Sequence, residues 1–315
     1  MNNIDNNNNN QDKKEDNQKE EIKEDNLEKK EENEKKEENN ENNNNNVNKE
    51  EEQINPILDS NRRITNNDIK DVPTLILEEK DNNIFNGEKI KITPFGMEGG
   101  RGAGDGLTIF GNSAPPEDTS KMNTGDTILK PDFILNLKEK IFYPYVFMIY
   151  FEKESKSYFI KQYSSKNNDN RILYVKLTNG YNLPLKQKEI ISAGNIFFQV
   201  TPLENNNLEV VNLSKQSLSM IPKQTFNASS KKEVTIGRNK DCDFAFPNNK
   251  SFSRVQTTFE FDEEKQEWVI IDGSRTKSST NGTWVFCTHS ILIKDKMTIE
   301  ILNHRIIINE EIKTD

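Results

Sequence analysis

From position 72 onward the apolar residues of this 315-residue chain arrive in short runs, and no stretch carries the three-to-four-residue spacing of an amphipathic helix. The first series is 74–77, 107–110, 133–137, 145–151, 158–162, 172–177, 196–200 and 208–211. These runs are rich in Ile, Val, Phe and Tyr, and clusters of Asn, Gly, Asp and Lys separate them at the spacing of a β-sandwich. A second series follows at 233–236, 244–246, 255–261, 268–272, 283–286, 290–293, 297–301 and 304–309. The fold class predicted for both is all-β, each near the usual domain size of about 100 residues.

Only 32% of the residues are hydrophobic, which is low for a chain folded throughout. The deficit lies at the start. Residues 1–54 hold 18 Asp and Glu against 9 Lys, which accounts for the whole net charge of −9. Their apolar residues are Met1, Ile4, Ile22, Leu27, Val47 and Ile54, too few to offset the entropy of ordering a backbone. The Glu/Lys repeats at 28–38 can form i,i+4 pairs, but the interspersed Asn and the missing apolar stripe oppose a helix or a coiled coil. The expected organisation is a disordered acidic Asn/Glu/Lys-rich tail over 1–65, a β domain over 70–213, a Ser/Asn/Gln/Lys-biased linker over 214–230 and a second β domain over 231–315.

No apolar run approaches the roughly 20 residues of a membrane span, and the N-terminus has no apolar stretch of a secretory signal. An intracellular protein, nuclear or cytoplasmic, is expected, with Cys242 and Cys287 as reduced core thiols. Neither Cys–His pairing nor metal-ligand spacing occurs among Cys242, Cys287, His289 and His304. The glycine-rich stretch 99–106 lacks the terminal Gly-Lys-Ser/Thr of a phosphate loop and no helix pattern follows it, so it reads as a flexible loop. The chain is therefore not expected to be an enzyme, and no catalytic residue, metal or cofactor is assigned. A charge-balanced folded part behind an acidic tail also opposes nucleic-acid binding. Oligomeric state is left open.

Three polar motifs interrupt the second series: Gly237-Arg238, Ser253-Arg254 and Thr280-Asn281-Gly282-Thr283. Loops at one end of a sandwich lie close together, so these three can build one site. They contain what a phosphate needs. Arg238 offers a planar fork to phosphate oxygens, Ser253 a hydroxyl, and Arg254 and Thr280 a second cation and a second hydroxyl. The Asn281 amide both donates and accepts, which suits a peptide backbone, while Gly237 and Gly282 permit turns that a side chain would hinder. Lys240, Lys250, Arg275 and Lys277 on the same loops would add a positive field. Trp268 and Asp272 are expected to pack the core and brace the loops.

The run Thr235-Ile236-Gly237-Arg238-Asn239-Lys240-Asp241-Cys242-Asp243-Phe244-Ala245-Phe246, then Ser253-Arg254, then Trp268 to Gly273, then Asn281-Gly282-Thr283, resembles the forkhead-associated (FHA) domain family in order and spacing. The resemblance implies a β-sandwich whose end loops bind phosphothreonine peptides in a partner protein and disfavour phosphoserine, because a small pocket accepts the threonine methyl. It further implies that Arg238 and Ser253 hold the phosphate with help from Arg254, and that Thr280 and Asn281 contact the phosphothreonine and its neighbouring backbone. The family usually has His where Gln256 stands. That residue braces the binding loops, and the extra rotamer freedom of Gln predicts loops less firmly fixed. The first series resembles a divergent FHA-like domain in outline, with Asn112 after Gly111 where the second series has Arg238, and with 189–200 as its closing hairpin. A tandem of this kind resembles ciliate-type tandem FHA proteins. The alternative function is a phosphate-independent scaffold that uses the same fold.

Overall fold

The computed structural model describes residues 63–312, apart from the internal stretches 81–83, 103, 114–129, 139–144, 164–171, 179, 195 and 215–222. The tail expected over 1–65 lies almost wholly outside the described residues. Every regular element in them is a β-strand. Burial follows the pattern of each run. The near-continuous apolar run of β6 (Tyr145–Glu152) is buried at seven of its eight positions, whereas β7 (Ser157–Gln162) buries every second side chain.

The strands form one sheet of eleven and two of five. The large sheet runs from β13 (Lys223–Asn227) through β12 (Asn207–Asn212), β11 (Ile196–Leu203) and β10 (Glu189–Ala193) to β18 (Thr283–Phe286). It continues through β8 (Leu173–Lys176), β20 (Met297–Ile301), β21 (His304–Glu311), β1 (Thr74–Glu79) and β2 (Ile90–Thr93) to β3 (Gly96–Met97). One small sheet has the order β15 (Phe244–Ala245), β14 (Glu233–Gly237), β16 (Thr257–Asp262), β17 (Glu267–Asp272) and β9 (Leu183–Leu185). The other has β19 (Ile291–Leu292), β7, β6, β4 (Leu107–Gly111) and β5 (Phe133–Ile134). Aromatic contacts show how the layers close. Phe198 of β11 meets Phe244 of β15 and Phe246 at 5.9 Å each, and Phe226 of β13 meets Phe244 at 6.2 Å. In the other half, Phe85 packs on Phe110 of β4 at 6.3 Å and on Phe133 of β5 at 5.6 Å.

The chain does not finish one sandwich before it starts the next. After β8 it crosses over: β9 pairs with β17, while the hairpin β10–β11 pairs through β10 with β18 and through β11 with β12. After β18 it crosses back, and β19 pairs with β7, β20 with β8 and β21 with β1. Each sandwich is thus closed by strands from the other half of the sequence. The two halves meet where Val175 of β8 lies opposite Val285 of β18. They repeat the same details on either side. β4 pairs parallel with β5 as β14 does with β15, and Asp132 accepts the Ile109 amide at 2.8 Å as Asp243 accepts the Thr235 amide at 2.9 Å.

These pairings correct the expected division of the chain. Residues 223–227, expected within a linker, are strand β13, whose one fully buried side chain is Phe226. The hairpin at 189–200 closes the second sandwich instead of the first, and the runs from 290 to 309 close the first instead of the second. The reason is physical: an alternating pattern fixes which face of a strand is buried, whereas its partner is set by non-local pairing. Polar contacts join the two crossings. Glu189, at the start of β10, is buried with its carboxylate 3.1 Å from His289 Nδ1 and accepting from Thr288 Oγ1 at 3.3 Å, both on the segment that leaves β18. Cys287 on that segment is fully enclosed, and burial pushes its thiol up to about 12, so it is no nucleophile at neutral pH.

Candidate functional site

The three motif loops leave β14, enter β16 and link β17 to β18, and backbone hydrogen bonds knit them edge to edge. The Arg238 amide donates to Ser253 O at 2.8 Å, and the Asn239 amide donates to Arg254 O at 3.0 Å. This contact needs a glycine before Arg238, because a Cβ on Gly237 would lie 2.2 Å from Arg254 O. The third loop joins through side chains. The Thr280 amide donates to Ser253 Oγ at 2.8 Å, and Asn281 Nδ2 donates to Ser251 O at 2.7 Å.

Gln256 lies beneath the loops with none of its surface exposed. Its Oε1 accepts the Ser253 amide at 3.0 Å, and its Nε2 donates to Ser279 Oγ and Gly282 O at 2.8 Å each. Ser279 Oγ in turn donates to Asp272 at 2.6 Å and accepts the Gly282 amide at 2.8 Å. The Thr283 hydroxyl donates toward Gln256 O at 2.9 Å and Asp272 Oδ1 at 3.0 Å. The expectation of loosely held loops is therefore corrected: the buried amide uses both of its hydrogens and its oxygen, so its rotamer freedom is already removed. Gln256→Leu keeps the bulk but orphans the Ser253 amide and the Gly282 carbonyl and strips one partner from Ser279 Oγ. It is expected to lower unfolding free energy by about 2–4 kcal/mol, read by urea denaturation of the full chain.

Above this bracing sit the groups that face water. Arg238, Arg254, Thr280 and Asn281 are exposed and Ser253 is half-buried. Neither guanidinium has an ionic or hydrogen-bonding partner among the described residues. Arg275 differs: both its Nε, at 2.6 Å, and its Nη2 bind the Glu260 carboxylate, so it is not part of the uncommitted charge. Ser253 Oγ accepts from Thr280 and keeps its own hydrogen for donation, while Asn281 keeps its oxygen and one N–H. Trp268 is buried against Phe261 at 5.4 Å and donates to Asn206 O at 3.1 Å, away from these groups.

Several contributors were not legible in the motifs. Gly194, in the turn of the exchanged hairpin, sits so close to the second loop that a Cβ there would be 2.9 Å from Ser251 Oγ and 3.0 Å from the Phe252 ring. Lys176, at the end of β8, lays its stem over Gly282, whose φ is +83° and whose added Cβ would be 2.1 Å from Lys176 Cε. Trp284 Nε1 donates to Asn281 O at 3.2 Å, and Lys176 and Arg305 lie over its ring at 5.8 and 5.3 Å from the centroid. The loops that carry the motifs are thus backed by strands from elsewhere in the sequence. Only Ser279 and Ser251 had a local signal, as short polar residues beside the motifs.

The architecture is all-β, with the three polar motifs on loops that adjoin one another. Residues 234–302 match the family model described as FHA domain, and domains of that family are generally phosphothreonine-binding protein-interaction modules without catalytic activity. No curated protein and no solved structure matches the chain. The matched stretch runs from β14 to β20, so it keeps the family's order in sequence while β19 and β20 pair with the other half. Among the described residues there is neither a cluster of three or more His, Cys, Asp or Glu that could hold a metal ion nor a helix long and apolar enough to cross a membrane.

Proposed function

We propose that the protein is a non-catalytic signalling adaptor that binds phosphothreonine in a partner protein. Arg238 and Ser253 hold the phosphate, Arg254 and the Thr280 hydroxyl assist, and Asn281 contacts the peptide backbone. The observation that carries this reading is the pairing of Ser253 Oγ with the Thr280 amide at 2.8 Å, beside an Arg238 whose guanidinium has no partner among the described residues. It brings a fork donor, a hydroxyl with its hydrogen unspent and a two-way amide onto one water-facing rim, and charge-assisted bonds to an anion are the strong class of hydrogen bond. Neither metal nor cofactor enters this chemistry. The first sandwich is read as a divergent FHA-like partner: Gly111 has the register of Gly237, and Asn112 follows it in the place of Arg238. Its role is to complete and support the second.

Titration of the full chain with a phosphothreonine peptide library, beside phosphoserine and unphosphorylated versions, tests the proposal. Selective retention of phosphothreonine is expected. Equal retention of the three would favour the phosphate-independent scaffold.

A further inference from the structure

We infer that the peptide taken by this site carries acidic residues close to its phosphothreonine, an inference that rests on the phosphothreonine reading above. The rim carries more positive charge than one phosphate needs. Beyond Arg238 and Arg254, the loops expose Lys240, Lys250 and Lys277, none with an ionic partner among the described residues. Lys240 follows Asn239, whose amide is bonded to Arg254 O, and Lys250 precedes Ser251, whose carbonyl is bonded to Asn281. Lys277 lies in the turn closed by the Ser274 amide and Lys277 O at 2.9 Å. Lys240 and Lys250 are thus next in sequence to backbone groups that join the loops, Lys277 lies on the loop that carries Thr280 and Asn281, and all three residues are exposed.

The acids of the same loops do not cancel this charge. Asp272 is buried under Ser279 and Thr283, and Asp243 accepts from Thr235 and pairs with Lys231, which leaves Asp241 exposed. A sixth cation comes from the other half of the chain. Lys176 lies across Gly282, so the exchanged arrangement puts an ammonium next to Asn281 where the peptide backbone would pass. Five or six cations around one phosphate subsite set a field that favours carboxylates at neighbouring peptide positions and raises the rate of encounter with them. Residues 1–54 are acidic but contain no threonine, so this segment supplies no phosphothreonine of its own.

The test uses the full chain and three labelled peptides of one length: phosphothreonine flanked by Asp and Glu, phosphothreonine flanked by Ala, and the acidic sequence without phosphate. The acidic phosphopeptide is expected to bind about tenfold tighter than the Ala-flanked one, with the ratio shrinking toward unity at about 0.5 M salt. Replacing Lys176, Lys250 and Lys277 together by Gln is expected to shrink the same ratio at low salt. Equal or weaker binding of the acidic phosphopeptide overturns the inference and leaves phosphothreonine binding standing. Binding of neither phosphopeptide overturns the underlying reading and the inference with it.

Discussion

Arg238→Ala is expected to weaken binding of a phosphothreonine peptide by at least about 100-fold while moving the melting temperature by no more than about 2 °C. The first number follows from two charge-assisted hydrogen bonds lost from one fork, each worth roughly 1.5–3 kcal/mol. The second follows from the exposure of the side chain and its lack of partners among the described residues, since such surface substitutions usually stay within about 0.5 kcal/mol. The amide of residue 238, which holds Ser253 O, survives the change. Arg238→Lys should fall between, because it keeps the charge and loses the planar fork. Calorimetric titration gives the affinity and a thermal melt the stability; unaltered affinity would remove Arg238 from the site.

The other large effect concerns the minimal folding unit. A fragment of residues 225–315 contains all three motifs, yet it is expected to be unfolded, whereas a fragment starting at residue 60 should unfold in one cooperative transition. The short fragment lacks β9, β10, β11 and β12, and with them Leu183, Leu185, Phe198, Val200, Leu208 and Val210, each no more than 3% exposed. At roughly 1.5–3 kcal/mol for each buried side chain, the loss is on the order of 10 kcal/mol, comparable to the whole stability of a domain. It also keeps β19 to β21 without their partners β7, β8 and β1, leaving unpaired edges that invite aggregation. Circular dichroism with urea titration distinguishes the outcomes. A cooperative transition in the short fragment would contradict the strand exchange.

What the sequence shows and hides here follows from where each signal resides. The strands β1, β6, β7, β11 and β18 are legible because buried Ile, Val, Phe and Tyr crowd into short runs. β13 is not, since Lys-Gln-Thr-Phe-Asn at a sheet edge buries fully only its Phe. β9 is hidden by Pro184 in the middle of three residues. The exchange of hairpins leaves no trace in the local pattern, because β10 would bury the same face against either partner. At the site, Arg238, Ser253, Thr280 and Asn281 stand out as ordered motifs, whereas Lys176 and Gly194 reach it from distant sequence. Gln256 reads as a weakness beside the family's usual His, whereas in the structure Ser279 Oγ and the Gly282 carbonyl take both of its amide hydrogens.

The central claim is that the loops joined at Ser253, Thr280 and Asn281 are the phosphothreonine site and that the exchanged strands complete it. Amide shift mapping of the isotopically labelled full chain, with and without a phosphothreonine peptide, addresses this most directly. The largest shifts are expected at Arg238, Ser253, Thr280, Asn281 and Gly282, with smaller ones at Gly194 and Lys176, and none of that size with the unphosphorylated peptide. Shifts centred on the first sandwich, or identical shifts with and without the phosphate, would contradict it.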